Sequence, residues 1–184
     1  ALNKLGIQTT LITGPSSIIS PKGVKVKKIV SAEQMLNEVK KTLPVDLAVC
    51  TAAVTDFKPA EKSKNKIKKD RLKFRSINFI KNNDILEFLS KNNRNRPQIV
   101  AGFSAETQSV IKNSAQKMKN KNCDIIFAND VSKKDIGFNS EFNKVSMIDQ
   151  SGNIKIIPKN KKSFIANKIA QILLDKLIDD RNIN

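Results

Sequence analysis

The sequence predicts an α/β domain, Rossmann-like, in which a mostly parallel sheet is flanked by helices and followed by a C-terminal β-hairpin and closing helix. Three observations predict it. The apolar runs VDLAVC, QIVAGFS and CDIIFAN have the continuity of strands covered on both faces. Segments of helical periodicity lie between them, so strand and helix alternate. The chain has 184 residues, 39% of them apolar, enough for one core of ordinary size. Residues 1–184 are therefore expected to form a single domain without internal repeats.

ALNKLG reads as the last turn of a helix closed by Gly6, so the domain is expected to be incomplete at its N-terminus. IQTTLIT is β-rich and ends at the turn pair Gly14 and Pro15; VKVKKI is a second short strand. Ser31 opens a helix: Gln34 stands three residues on as a capping-box partner, Met35, Val39 and Leu43 recur every fourth residue, and Pro44 stops it. After VDLAVC come a strand-like LKF near Leu72 and a helix in DILEFLSKN. The stretch 91–96 reads as ordinary loop. QIVA leads to GFSAET and a lysine-rich helix over 106–122, and CDIIF leads to ANDVS. Residues 145–148 and 154–157 flank a turn with Ser151, Gly152 and Asn153, the pattern of an edge hairpin. Ile165, Ile169, Ile172, Leu173 and Leu177 give the closing helix its apolar stripe.

Composition bounds the chemistry. A formal net charge of +17 favours anionic partners such as phosphates, nucleotides or nucleic acid. With no histidine, His-based triads and the commonest metal ligand are excluded. Cys50 and Cys123 sit singly in apolar runs and read as reduced core thiols of a cytoplasmic protein. No apolar run approaches the ~20 residues of a membrane span.

In open α/β sheets ligands bind beyond the carboxyl ends of the strands. TAAVTDF, GFSAET and ANDVS follow three such ends, each with small residues that permit close approach to the backbone. Lys117 and Lys121 fall on one helical face, where like charges repel unless an anion lies near both. Phe103 is placed to lie against a base or ribose, or to serve the core. Neither a Walker A motif nor GxGxxG occurs, and without Tyr or Trp stacking platforms for single strands are scarce. Spacing alone reaches an α/β domain that binds a small polyanion; a basic domain binding RNA without catalysis is the alternative.

The ordered set AAVTDFKP, KIKK, NDIL, GFSAET, a K-x-x-x-K pair before CDIIFAND, and GFNSEFNKV resembles the bacterial phosphopantothenoylcysteine synthetase family, the ligase half of the bifunctional coenzyme A biosynthesis flavoprotein. That resemblance implies a CTP-dependent ligase joining 4′-phosphopantothenate to L-cysteine through an acyl-cytidylate. It implies Mg²⁺ accompanying CTP, with FMN belonging only to a decarboxylase half that this chain does not match. It also implies a homodimer, possible membership of a larger bifunctional assembly, and no membrane or nucleic-acid partner. Carried over by residue, nucleotide contacts fall on Ala52, Asp56, Lys66, Asn83, Asp84, Ile85, Leu86, Phe103, Lys117 and Lys121. Lys66, which opens KIKK on a flap, takes the catalytic role; no residue is assigned to a resident metal. Asn129 and Asp130 are expected to shape the same pocket. Asn83 stands where the family has proline, and the family's first strand, glycine-rich turn and Asn-Ser-Ser-Gly loop have no counterpart in residues 1–184.

Overall fold

The computed structural model describes residues 1–61, 63, 65, 77–91, 94–132, 135–136 and 140–182. In chain order a 3₁₀ turn (Leu2–Leu5) precedes β1 (Thr10–Thr13), β2 (Lys25–Lys28), α1 (Ala32–Thr42), β3 (Leu47–Cys50), β4 (Phe57–Pro59) and β5 (Phe79–Lys81). There follow α2 (Ile85–Ser90), β6 (Ile99–Glu106), α3 (Val110–Lys121), β7 (Ile125–Asp130), β8 (Phe142–Asp149), β9 (Ile154–Lys161) and α4 (Lys162–Asn182). The central sheet has five strands in the order β3-β6-β7-β8-β9. Its first three strands are parallel, and β8 and β9 are antiparallel additions at one edge.

Alternation along β6 and β7 divides the core. Ile99, Ala101, Ile125 and Phe127 face α4, where Ile165, Ile169, Leu173 and Leu177 recur every fourth residue. Val100, Ile126 and Ala128 face the other way, onto Leu36 of α1, Ile85 and Leu89 of α2, and Met118 of α3. Each large side chain so buried contributes about 1.5–3 kcal/mol. This is the helix-flanked α/β fold expected from the apolar runs.

Local signals appear where the chain uses them. Gly6 adopts φ 79° and its N–H closes the 3₁₀ turn onto Asn3. Ser31 Oγ accepts the Gln34 N–H at 3.2 Å, while Gln34 Oε1 accepts from Val30 at 2.8 Å, one residue earlier than a standard box. Gly152 at φ 84° turns the β8–β9 hairpin, and Asp149 Oδ1 accepts the Asn153 N–H at 2.9 Å.

At three places the structure adds to or departs from the sequence reading. GFSAET and ANDVS do not begin loops: β6 continues to Glu106 and β7 to Asp130, because Ala105 and Glu106 still pair with Asn129 and Asp130. The following helix accordingly starts at Val110, not at 106. Second, β1 and β2 do not join the central sheet but form a separate parallel pair. Among the described residues β1 pairs only with β2 and β3 only with β6, so the free edges of β1 and β3 border a common cavity. Third, β4 and β5 form an antiparallel ribbon that the sequence did not announce; the strand expected near Leu72 lies outside the described residues.

The stretch 91–96, read as loop, carries a latch. Arg96 Nη2 donates to both oxygens of Asp124 at 2.9 Å, its Nε to the Ser90 carbonyl at 3.1 Å and its Nη1 to the Pro97 carbonyl at 2.9 Å. Asp124 Oδ2 also accepts the Val100 N–H at 2.7 Å, and Gln150 Nε2 donates to Oδ1 at 3.1 Å. The side chains are 18% and 17% exposed, so this charge-assisted pair is poorly screened. Replacing one member leaves the other partly buried without its partner. Arg96→Met or Asp124→Ala is therefore expected to lower stability by about 3 kcal/mol, measured by urea unfolding. An effect below about 1 kcal/mol would reduce the latch to an ordinary surface pair.

Candidate functional site

The strand β3 and, on β6, Phe103 border a cavity of about 1690 Å³. A typical small-ligand pocket holds roughly 300–1,000 Å³, so this cavity exceeds the volume of a single small-ligand site. Its lower part is an apolar cleft between β1 and β3, reaching Leu173 and Leu177 of α4. Its mouth is polar, and there the sequence-selected residues meet.

Ala52, Asp56, Asn83, Asp84, Ile85, Leu86, Phe103, Lys117 and Lys121 all line this cavity. Lys66, with the rest of KIKK, lies outside the described residues. Ala52 and Asp56 follow β3 on an exposed segment held to the opposite wall by Asn82, which donates its N–H to the Asp56 carbonyl at 2.7 Å and its Nδ2 to that of Thr55 at 3.1 Å. Asn82 was not singled out in the sequence. The clasp fixes the distance between two walls that are far apart in the chain.

Asn83 is exposed just before α2, and Asp84 is the α2 N-cap, its Oδ1 accepting the Glu87 N–H at 2.8 Å. Ile85 points into the core instead, buried at 8% exposure. Leu86 packs on Gly102: a Cβ built there would lie 2.7 Å from Leu86 Cδ2. The glycine of GFSAET, expected to admit a ligand to the backbone, is thus required by α2 seated on β6. Phe103 faces the α4 side, its ring 5.2 Å from that of Phe127, so it is at once cavity wall and core margin.

Lys117 and Lys121 stand one turn apart on α3, while Lys112 and Lys119 point outward. The anion that the Lys117–Lys121 spacing calls for comes in part from the protein. Lys121 Nζ lies 2.8 Å from Asp84 Oδ2 and 3.5 Å from Glu87 Oε2. Burial opposes ionisation of Asp84, but the Glu87 amide and Lys121, with Lys117 farther off, outweigh it and hold the carboxyl below its ordinary range. Asp84, despite partial burial of Lys121, raises the lysine above its usual value. Glu87 was missed because only its i,i+4 partner Lys91, at 3.4 Å, is visible along the chain.

Asn129 and Asp130 are not on the cavity wall. Asn143 is, and its Nδ2 donates to Asn129 Oδ1 at 3.2 Å, so Asn129 acts one residue behind the wall; Asp130 Oδ1 accepts from the Ser132 N–H at 3.1 Å. Burial pushes the Cys50 thiol up to about 12 and that of Cys123 to about 11, which leaves both unreactive near neutrality. Both are free thiols. Among the described residues no group of three or more Cys, Asp and Glu is gathered to hold a metal ion, and no helix is long and apolar enough to cross a membrane.

These features define an open α/β domain with a concave, lysine-bearing cavity beside β3 and β6. The chain belongs to the DNA/pantothenate metabolism flavoprotein C-terminal domain family, whose profile matches residues 1–177. It is 38% identical over 172 residues to the coenzyme A biosynthesis bifunctional protein CoaBC of Borreliella burgdorferi, covering 92% of this chain and 43% of that protein. With CoaBC of Escherichia coli K12 it shares 34% identity over 191 residues, covering 99% and 45%. It is also 34% identical to a cysteine/cysteine sulfinic acid decarboxylase of an unknown prokaryote, over 92% of this chain and 47% of that one. The chain thus spans less than half the length of the curated relatives it matches. The crystal structure of the C-terminal domain of a CoaBC superposes with a TM-score of 0.77 at 27% identity, covering 96% of this chain and 78% of that one.

The Gly102 contact yields a test. Gly102→Val is expected to destabilise the domain by about 1–3 kcal/mol, since α2 must shift off β6. Gly102→Ala is expected to cost less, because the end of Leu86 can rotate away. Equal, negligible effects in urea unfolding would mean that α2 does not sit this close.

Proposed function

We propose that this domain is the ligase part of a coenzyme A biosynthesis enzyme: it activates 4′-phosphopantothenate with CTP and joins it to L-cysteine, releasing CMP and pyrophosphate. The observation that carries the reading is the convergence at one mouth of the strand-end segment 52–56, the capped start of α2 and the lysine face of α3, in a family member whose relatives bear the CoaBC name. A carboxylate is a poor electrophile. In the proposed reaction its oxygen attacks the α-phosphorus of CTP, the bond to pyrophosphate breaks, and the resulting acyl-cytidylate has a good leaving group. The cysteine amine then attacks the carbonyl carbon, loses a proton, and expels CMP.

A triphosphate must be neutralised as charge moves onto pyrophosphate, and Lys117 and Lys121 supply cations on one side of the mouth. Lys66 would supply another during acyl transfer. The donor set suits a Mg²⁺ that arrives on the triphosphate, which would stabilise phosphate charge: of the mouth's two aspartates, Asp84 is already engaged and Asp56 is exposed. A cytoplasmic homodimer completes the proposal. Phe57 and Phe79 on the β4–β5 ribbon, and Ile154 and Ile156 on β9, are exposed apolar side chains that support self-association.

The full-length protein is expected to release pyrophosphate from CTP only when Mg²⁺ and 4′-phosphopantothenate are both present, and CMP when cysteine is added. Lys66→Gln should suppress acyl-cytidylate formation at least tenfold more than Lys62→Gln, roughly the value of one charge contact to a phosphoryl transition state. Absence of pyrophosphate release rejects the ligase. A random oligonucleotide binding as well as CTP, with steep salt dependence, would favour the RNA alternative instead.

A further inference from the structure

Lys121 is held by the protein's own carboxylates. Its ammonium meets Asp84 Oδ2 at 2.8 Å and Glu87 Oε2 at 3.5 Å, while the other Asp84 oxygen accepts the Glu87 N–H at 2.8 Å. The two oxygens of Asp84 therefore act separately, one capping α2 and the other anchoring α3. Lys121 and Asp84 are 23% and 22% exposed, so the pair is shielded enough to be ordered yet still opens to the cavity. An ammonium has three N–H donors, so it can serve both carboxylates and one ligand oxygen together.

We propose that Asp84 is a positioning residue for Lys121, fixing the ammonium as a preorganised donor to the polyphosphate of the ligand. The proposal rests on the reading of the mouth as a triphosphate site. Two physical effects oppose each other here, which makes it testable. A carboxylate beside a polyanion repels it, so on electrostatics alone removing Asp84's charge tightens binding. A lysine that is free to rotate must lose rotamer entropy on binding, so on preorganisation removing the anchor weakens it. Preorganisation wins if the ammonium keeps its place when the ligand enters.

Asp84→Asn separates these effects, because asparagine still accepts the Glu87 N–H and preserves the cap. The measurement is calorimetric binding of inorganic tripolyphosphate and of Mg-CTP to the full-length protein and to Asp84→Asn, Lys121→Met and the double variant. Asp84→Asn is expected to bind tripolyphosphate on the order of tenfold more weakly, the factor corresponding to fixing one long side chain. In the Lys121→Met background the same substitution should change affinity little, since there is no lysine left to position. In turnover with CTP, Asp84→Asn should lower kcat/KM by a similar factor. Its thermal midpoint should stay within a few degrees of wild type, whereas Asp84→Ala, which also loses the cap, should fall further.

Equal or tighter tripolyphosphate binding by Asp84→Asn overturns the proposal, as does the same loss with and without Lys121, or no tripolyphosphate binding by the wild type. If tripolyphosphate behaves as expected but CTP-dependent ligation is absent, the positioning role stands and the proposed ligase activity fails.

Discussion

The register between β6 and β7 is the constraint from which the rest of the architecture follows, and the Arg96–Asp124 pair fixes it. Asp124 accepts from both Arg96 and the Val100 N–H, and its own N–H donates to the Val100 carbonyl at 2.9 Å. The start of β7, Ile125, is therefore set against Ala101 of β6. A slip of one residue would turn one strand over relative to the other, for example taking Ile125 and Phe127 of β7 away from α4 and Ile126 away from α2 and α3. Arg96 also bonds the Ser90 carbonyl at the end of α2, and Asn122 Nδ2 reaches the same oxygen at 3.2 Å. Sheet register and the seating of two helices thus share one polar knot at the amino ends of the strands.

The knot adjoins the cavity through α3, because Asn122, which bonds Ser90, directly follows Lys121 of the cavity lining. Partly buried charges that have all their partners rigidify the frame, while the strands carry that rigidity to their other ends. β6 and β7 keep their pairing as far as Glu106 and Asp130, so Phe103 sits on a strand, not a loop. α2 is seated by Leu86 on Gly102, which sets the height of its first turn and hence of Asp84. The walls of the mouth inherit their positions from packing. Only the segment 52–56 relies on a loop clasp, through Asn82.

The legible parts of the sequence were those with short-range causes. Buried-strand continuity, the Ser31 cap, the Gly152 turn and the four-residue period of α4 each act within a few residues, and each appears in the structure near its expected place. Arg96 looked like loop because its main partner lies 28 residues away. Gly102 is a point of close approach, but the approaching group is Leu86, which periodicity assigns only to a helix face, and not the ligand expected there. The separate β1–β2 pair was illegible for a similar reason: a strand's pattern tells that it is covered, not which strand lies beside it. In the candidate site, the residues drawn together at the mouth were named from the family resemblance; spacing alone reached the strand ends and the two lysines.

Lys121 shows why composition is a poor guide to such a site. A net charge of +17 sets a long-range pull on any anion, but salt screens that pull beyond about 10 Å and it cannot distinguish one polyphosphate from another. Within the mouth the balance is different, because Asp84 and Glu87 offset the charge of Lys121. What Lys121 then offers a ligand is less a net positive field than a donor at a fixed point, at a known height above the sheet. Selectivity by geometry needs that fixed point, and a rigid frame to hold it. The surplus lysines on the outer surface, such as Lys112 and Lys119 of α3, can raise the rate of encounter, but a discriminating contact requires a cation whose own position has been settled by the fold.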